Sequence, residues 1–251
     1  MQVIDLPFGH QGFVTDAQGG LSKSPYETWN IARHVGDDPA TVQGNIELLD
    51  QRVGRHVLFA EQVHGNAVAV VECGPVSHGV GAKPVGQADA LLTNCYHQAI
   101  AIVVADCVPI IVVGDNGWAA AVHAGRQGLE VGVIEASVHA LRDTGAQHVF
   151  AVVGPAICGE CYEVSQDVAD SFTASTGHEA LSPRGINAHP RLDLRGAAIA
   201  QLEKAGSAIL AFDERCTYES DTLYSHRRAT HAGHVTGRFA MGVALCHVDD
   251  S

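Results

Sequence analysis

Dense apolar runs fill the middle of the chain, at residues 90–92, 100–105, 108–113 and 118–122. Runs of this kind, without polar alternation, mark strands buried on both faces. Amphipathic stretches flank them. Asp38 supplies an N-cap acid ahead of Pro39 at the first helical position, and Val42, Ile46, Leu49 and Val53 follow at three- and four-residue spacing up to Gly54. A second helix is predicted over residues 127–143, with Leu129, Val133, Ile134, Val138 and Leu141 on one face and Gly145 just past its end. Further helices are expected at 163–174 and 193–205, and further strands at 57–60, 67–71, 148–153, 208–212 and 239–246. Residues 3–15 read as an opening strand that breaks at Gly12. Residues 16–25, 61–66 and 74–86 read as loops from their turn-forming residues. No internal repeat, low-complexity tract or interdomain linker interrupts the pattern. It predicts one α/β domain over residues 1–251, with a mixed β-sheet core flanked by helices.

Composition narrows the class. The chain has 251 residues, 46% of them apolar and 17% charged, ample for a buried core. No window reaches the roughly 18 apolar residues of a membrane span, and the first ten residues have neither a cationic start nor an apolar signal core, so no membrane association and a cytoplasmic location are expected. A formal net charge of −13 repels a phosphate backbone and argues against nucleic acid as a partner. Seven cysteines, an odd number in a chain large enough to stand without staples, lead to an expectation of reduced thiols.

Three separated segments hold candidate chemistry. Cys107 lies in Ala105-Asp106-Cys107-Val108-Pro109, where Pro109 is expected to interrupt the strand and re-aim the thiol. His123 ends an apolar run and precedes Ala124-Gly125-Arg126, a strand-to-helix turn of the sort where open α/β sheets place ligands. His64 lies in the loop Gln62-Val63-His64-Gly65. Two histidines and a cysteine suit a three-ligand zinc site with an open fourth position. Spacing alone leaves the alternative of a buried thiol and two unrelated imidazoles open. Asp89 and Asp106 are candidates for orienting the histidines, or are turn caps. Ser225-His226-Arg227-Arg228 is a compact basic cluster in an acidic protein, which favours phosphate binding. Cys158-Gly159-Glu160-Cys161 has redox or zinc spacing, but no second cysteine pair follows at zinc-ribbon distance, and local packing is the expectation. His231-Ala232-Gly233-His234 lacks the acid of a zinc-protease helix, and the zinc-deaminase signature is absent.

Taken in order, Gly36-Asp37-Asp38-Pro39, Gln62-Val63-His64-Gly65, Ala88-Asp89-Ala90-Leu91-Leu92-Thr93, Ala105-Asp106-Cys107-Val108-Pro109, Val122-His123-Ala124-Gly125, Gly154-Pro155-Ala156-Ile157, Tyr162-Glu163-Val164, Ser225-His226-Arg227-Arg228 and Thr236-Gly237-Arg238 resemble the YfiH or laccase-domain family over nearly the whole chain. Members of that family were long labelled multicopper polyphenol oxidases and are now viewed as purine nucleoside phosphorylases with related activities, including adenosine deamination and methylthioadenosine phosphorolysis. The resemblance implies that His64, Cys107 and His123 are metal ligands, with zinc the expected metal ahead of copper, and that a purine nucleoside and phosphate are the substrates. It also implies kinship in fold to toxin deamidases that use a Cys-His pair. Catalytic roles are expected for Cys107, His64, His123, Asp89 and Asp106, and phosphate or substrate contacts for Arg126, His226, Arg227, Arg228 and Arg238. One departure stands out. Family members usually carry an arginine before the N-terminal Gly-Gly, whereas this chain reads Thr15-Asp16-Ala17-Gln18-Gly19-Gly20.

Three rival readings remain at this stage. A blue-copper or multicopper oxidase wants an axial methionine or His-x-His pairs, but the chain has only Met1 and Met241 and no His-x-His. A metal-free hydrolase would use His123 to activate Cys107 as nucleophile. A nucleoside-binding module without catalysis would need none of the three residues.

Overall fold

In the computed structural model, residues 1–74, 84–183 and 188–246 are described. The central apolar runs form β5 (Ala90–Thr93), β6 (Gln98–Val104), β7 (Val108–Gly114) and β8 (Ala119–Ala124). They do not all join one sheet. With β1 (Gln2–Asp5), β2 (Gln11–Val14), β3 (His56–Leu58), β4 (Val68–Val71), β9 (Val149–Val153), β10 (Ala208–Phe212) and β11 (Phe239–Ala244), they build a five-stranded sheet ordered β1-β2-β11-β6-β3 and a six-stranded sheet ordered β10-β9-β7-β8-β5-β4. Both sheets are mixed.

Burial explains the continuous runs. Ile100, Ile102 and Val104 of β6 meet Ile111, Val113, Ala119, Ala121 and Met241 between the sheets. The alternate residues Ala99 and Ala101 face outward under α1 (Pro39–Val53), beside Val42, Ile46 and Leu49. On the far side, Ile110, Val112, Ala120 and Val122 carry the helices α2 (Arg126–Glu130), α3 (Val133–Asp143), α4 (Gln166–Thr176) and α5 (Leu194–Lys204). Four layers bury both faces of each sheet, so period-2 alternation disappears from the central strands. The α/β class with a mixed-sheet core therefore holds, in a two-sheet form.

Several boundaries differ from expectation. Helix α1 starts and stops as predicted, with Asp38 accepting from Thr41 N and Gly54 in the left-handed conformation. The helix expected at 127–143 is two, because Gly132 adopts φ 81° and separates α2 from α3. The opening strand breaks at residues 6–10, around the short 3-10 turn Pro7–Gly9, and not at Gly12. Gly12 lies inside β2, where a Cβ would stand 2.8 Å from Ile111 Cδ1. A short helix, α6 (His226–His231), was not anticipated; Ser225 caps it by accepting from Arg228 N. Of the loop expected at 74–86, residues 75–83 lie outside the described residues.

The expectation of wholly reduced cysteines fails for one pair. Strands β4 and β5 run parallel with Val71 opposite Thr93, so two residues further on Cys73 and Cys95 lie side by side, Cα atoms 5.2 Å apart, and form a disulfide.

Of the connections that cross from one sheet to the other, three matter below. The β3–β4 connection carries His64, the β6–β7 connection carries Cys107, and the β10–β11 connection carries α6.

Candidate active site

His64, Cys107 and His123 come together, their ligand atoms within 4.8 Å of one another. Cys107 Sγ lies 3.9 Å from His64 Nε2, and the two imidazoles meet edge to face with centroids 4.8 Å apart. His123 is buried near the end of β8, whereas His64 is exposed and Cys107 half-buried.

Asp89 organises the cluster. Its carboxylate is fully buried just before β5. One oxygen accepts from His64 N at 2.9 Å and from His123 Nδ1 at 2.8 Å; the other accepts from Gly65 N at 2.7 Å and Val63 N at 3.2 Å. A single carboxylate thus fixes both the loop that carries His64 and the ring of His123, leaving Nε2 of His123 free of that bond. Gln62 clamps the same loop: its side-chain amide donates to Val103 O and accepts from Val103 N, both at 2.8 Å, as a strand neighbour would. His64 takes φ 60°, a left-handed conformation costly for a non-glycine residue and held here by those N–H bonds.

The turn before Cys107 is fixed in a similar way. Asp106 has φ 92°, and its buried carboxylate accepts from Thr217 Oγ1 at 2.6 Å and from Arg227 N at 2.7 Å. This joins the Cys107 turn to α6. Pro109 does not interrupt the strand as expected. It lies within β7 opposite His123, and its carbonyl accepts from Gly154 N at 2.8 Å, one residue past β9, so its missing N–H falls at the margin of the ladder.

Gly125, between β8 and α2, fills the remaining side. A Cβ there would stand 2.8 Å from His64 Cδ2, 3.1 Å from Cys107 Sγ and 3.6 Å from His123 Cε1. The three side chains therefore converge where only a glycine fits.

The electrostatics couple thiol to imidazole. Burial alone would push the Cys107 thiol up, but His123 and His64 outweigh it and draw it down to about 6. Burial opposes the charge of His123, yet the Cys107 thiolate and Asp89 raise it to about 9. Without a metal the pair is therefore a thiolate facing an imidazolium at neutral pH.

The basic residues divide. Arg228 donates to the carbonyls of Thr217, Tyr218, Ser220 and Leu223, so its guanidinium ties the chain before α6 together. Arg126 forms a two-point ion pair with Glu130 at 2.7 and 2.8 Å. Arg227 stacks 4.7 Å over Tyr162 and donates to Glu163 O. Burial depresses Arg238, which the Cys107 and Asp106 charges oppose; burial, reinforced by Arg238, also holds His226 below its usual range. Arg238, whose guanidinium donates to Thr236 O and Gly237 O, thus lies within electrostatic reach of Cys107, and His226 within reach of Asp106. Near the N-terminal Gly-Gly, Arg52 donates to Gly19 O and lies 4.1 Å over Trp29.

Sequence reasoning did not single out Gly125, Thr217, Tyr162 or His34. Burial lowers His34, with Arg238, His64 and His123 adding to the effect, which sets it beside the cluster. Tyr162 is raised by burial and by the Cys107 charge. Only Gly125 and Tyr162 had a signal in the sequence, as parts of motifs whose geometry was not visible.

Residues 11–246 match the family model described as multi-copper polyphenol oxidoreductase laccase. A purine nucleoside phosphorylase of Streptomyces coelicolor is 39% identical over 234 residues, covering 91% of this chain and 93% of its own. Among solved structures, YlmD from Geobacillus stearothermophilus superposes with a TM-score of 0.83 at 30% identity, covering 96% of this chain and 94% of that one. A Neisseria meningitidis protein of family DUF152 gives 0.80 at 29% identity, covering 98% and 99%. With similarity in sequence and in fold running over nearly its full length, the chain belongs to the multi-copper polyphenol oxidoreductase laccase family, the one its motifs resemble.

Proposed function

We propose that the chain is a zinc-dependent purine nucleoside phosphorylase acting on adenosine, inosine or guanosine, with adenosine deamination and methylthioadenosine phosphorolysis as side activities. A phosphate oxygen forms a bond to C1′ of the ribose as the C1′–N bond to the base breaks. The electron pair leaves on the base nitrogen, which gains a proton, and ribose 1-phosphate remains. The observation that carries this reading is the convergence of His64, Cys107 and His123 on the space at Gly125, in a chain whose similar relatives bear the phosphorylase name.

The donor set fits zinc: two imidazole nitrogens and a thiol drawn toward its anion. Zinc held by these three residues would supply Lewis acidity toward the oxygen of the nucleophile. The protein's own groups do the rest. Asp89 keeps the His123 ring aligned and holds the loop that carries His64. Arg227 and Arg238 offer positive charge to phosphate, and His226, favouring the neutral form, can exchange a proton with a leaving group. Arg126 and Arg228 support the walls through Glu130 and backbone carbonyls. The reading carries a cytoplasmic setting; five cysteines are free, while the Cys73–Cys95 disulfide is a bond uncommon in a reducing compartment. Among the described residues no helix is long and apolar enough to cross a membrane.

The test is phosphate-dependent release of base from a purine nucleoside panel, before and after metal removal. His64→Ala, Cys107→Ala and His123→Ala should each lower turnover by at least ~10³-fold and remove the metal bound at this site. Turnover that persists in metal-free protein sinks the zinc role.

A second reading is favoured by the thiolate and imidazolium pair: a Cys-His hydrolase with Cys107 as nucleophile. It requires activity that survives metal removal, needs no phosphate and disappears on alkylation of Cys107.

A further inference from the structure

A second cluster of metal-ligating side chains lies outside the site just described. The sulfurs of Cys158, Cys161 and Cys216 and a carboxylate oxygen of Glu219 all lie within 4.8 Å of one another. The cysteine pair at residues 158 and 161 lacks a cysteine partner pair in the sequence, but the fold provides an equivalent. Cys216-Thr217-Tyr218-Glu219 repeats the same three-residue spacing, with glutamate in the place of a fourth cysteine.

Both halves are tight turns. Cys161 N donates to Cys158 O at 3.0 Å, and Ser220 N donates to Cys216 O at 3.0 Å. A parallel bridge between Ala156 and Cys216, with Thr217 N donating to Ala156 O at 3.2 Å, sets the two turns side by side. Cys158 N donates to Cys216 Sγ at 3.3 Å, and Cys161 Sγ lies 3.7 Å from Glu219 Oε1. Two opposed turns, each offering ligands at the first and fourth positions, form the usual frame of a structural zinc centre. Zinc–sulfur bonds of about 2.3 Å put tetrahedral ligand atoms about 3.8 Å apart, so closure needs movements of about 1 Å or less.

We propose that Cys158, Cys161, Cys216 and Glu219 form a second metal site that takes a thiophilic divalent cation, zinc by its ligand set, and staples the connection after β9 to the segment after β10. The staple reaches the first site through Thr217. That residue lies inside the second turn and donates to Asp106, the neighbour of Cys107. Tyr162, which follows Cys161 directly, carries the stacked Arg227.

The test is metal quantification on full-length protein purified under reductant without chelator. Wild type should hold two zinc ions per chain, Cys107→Ala one, and the double variant Cys161→Ser/Cys216→Ser one. Cobalt loaded into Cys107→Ala provides a check that survives misfolding of the double variant: it should show the strong sulfur-to-cobalt absorption of a three-thiolate centre. X-ray absorption at the zinc edge should likewise report three sulfurs in Cys107→Ala, against one in the double variant. A Cys107→Ala protein that binds no zinc, a second equivalent that persists in the double variant, or a disulfide among these three cysteines in protein kept under reductant would overturn the site. Because the readout is stoichiometry and ligand type, it stands apart from phosphorylase activity.

Discussion

The two clusters use similar atoms in different ways. In the His64, Cys107 and His123 cluster each ligand is held by something other than the ligands themselves: Asp89 fixes two of them, and Asp106 fixes the turn before the third. In the Cys158, Cys161, Cys216 and Glu219 cluster the side chains sit on paired turns, and a backbone N–H of one turn reaches the sulfur of the other. The first arrangement has supports that do not pass through its centre, as suits a site that opens to a substrate under the proposed function. The second, as proposed, closes around its metal.

That contrast is open to direct attack. The largest effect should come from Asp89→Asn, which keeps the shape but takes away the charge facing His123 and turns one acceptor oxygen into a donor. Metal affinity at the first site should fall by about 10- to 100-fold, measured by competition with a chromophoric chelator, while the second site keeps its metal. Equal loss at both sites would erase the distinction. Gly125→Ala should come next. Its Cβ meets backbone-fixed rings and the Cys107 sulfur and not a flexible chain end, so kcat/KM should drop by about 10-fold or more in a protein whose melting temperature changes little. A full-rate enzyme would show that the convergence point is not where substrate or metal sits.

The smallest effect is a shift in a titration. A lowered pKa means that the Cys107 thiolate is present above about 6 and is lost as pH falls through that value. Alkylation of metal-free protein at Cys107 should therefore reach half its plateau rate near pH 6, against about 8.5 for an unperturbed thiol. His123→Ala should move that midpoint upward, because the imidazolium that favours the thiolate is gone. A midpoint unchanged by that substitution would show that the two groups are not coupled.

Much of this could be read from residues in order, and the limits are physical. Asp38-Pro39 and Gly54 marked α1 because caps act within a few residues. The central runs marked buried strands, but no run carries a label for its sheet, so the division of β6 from its sequence neighbours β5 and β7 was invisible. Gly132 gave no warning that it would split a helix, since glycine is also tolerated inside helices at modest cost. Cys73 and Cys95 pair only through the register of β4 and β5.

The sequence by itself determined the element types, the α/β class and, through ordered motifs, the family. Residue type offered His64, Cys107 and His123 as candidates, and the family resemblance made them the expected ligands. Tertiary structure decided what those residues face. Two sheet-crossing connections and the end of β8 meet at Gly125, a buried carboxylate is shared between two segments, and Arg228 is turned to carbonyls. It also gave Cys158 and Cys161 a partner pair more than fifty residues away. Contacts of that span come from how sheets stack and cross, and no local preference along the chain encodes them.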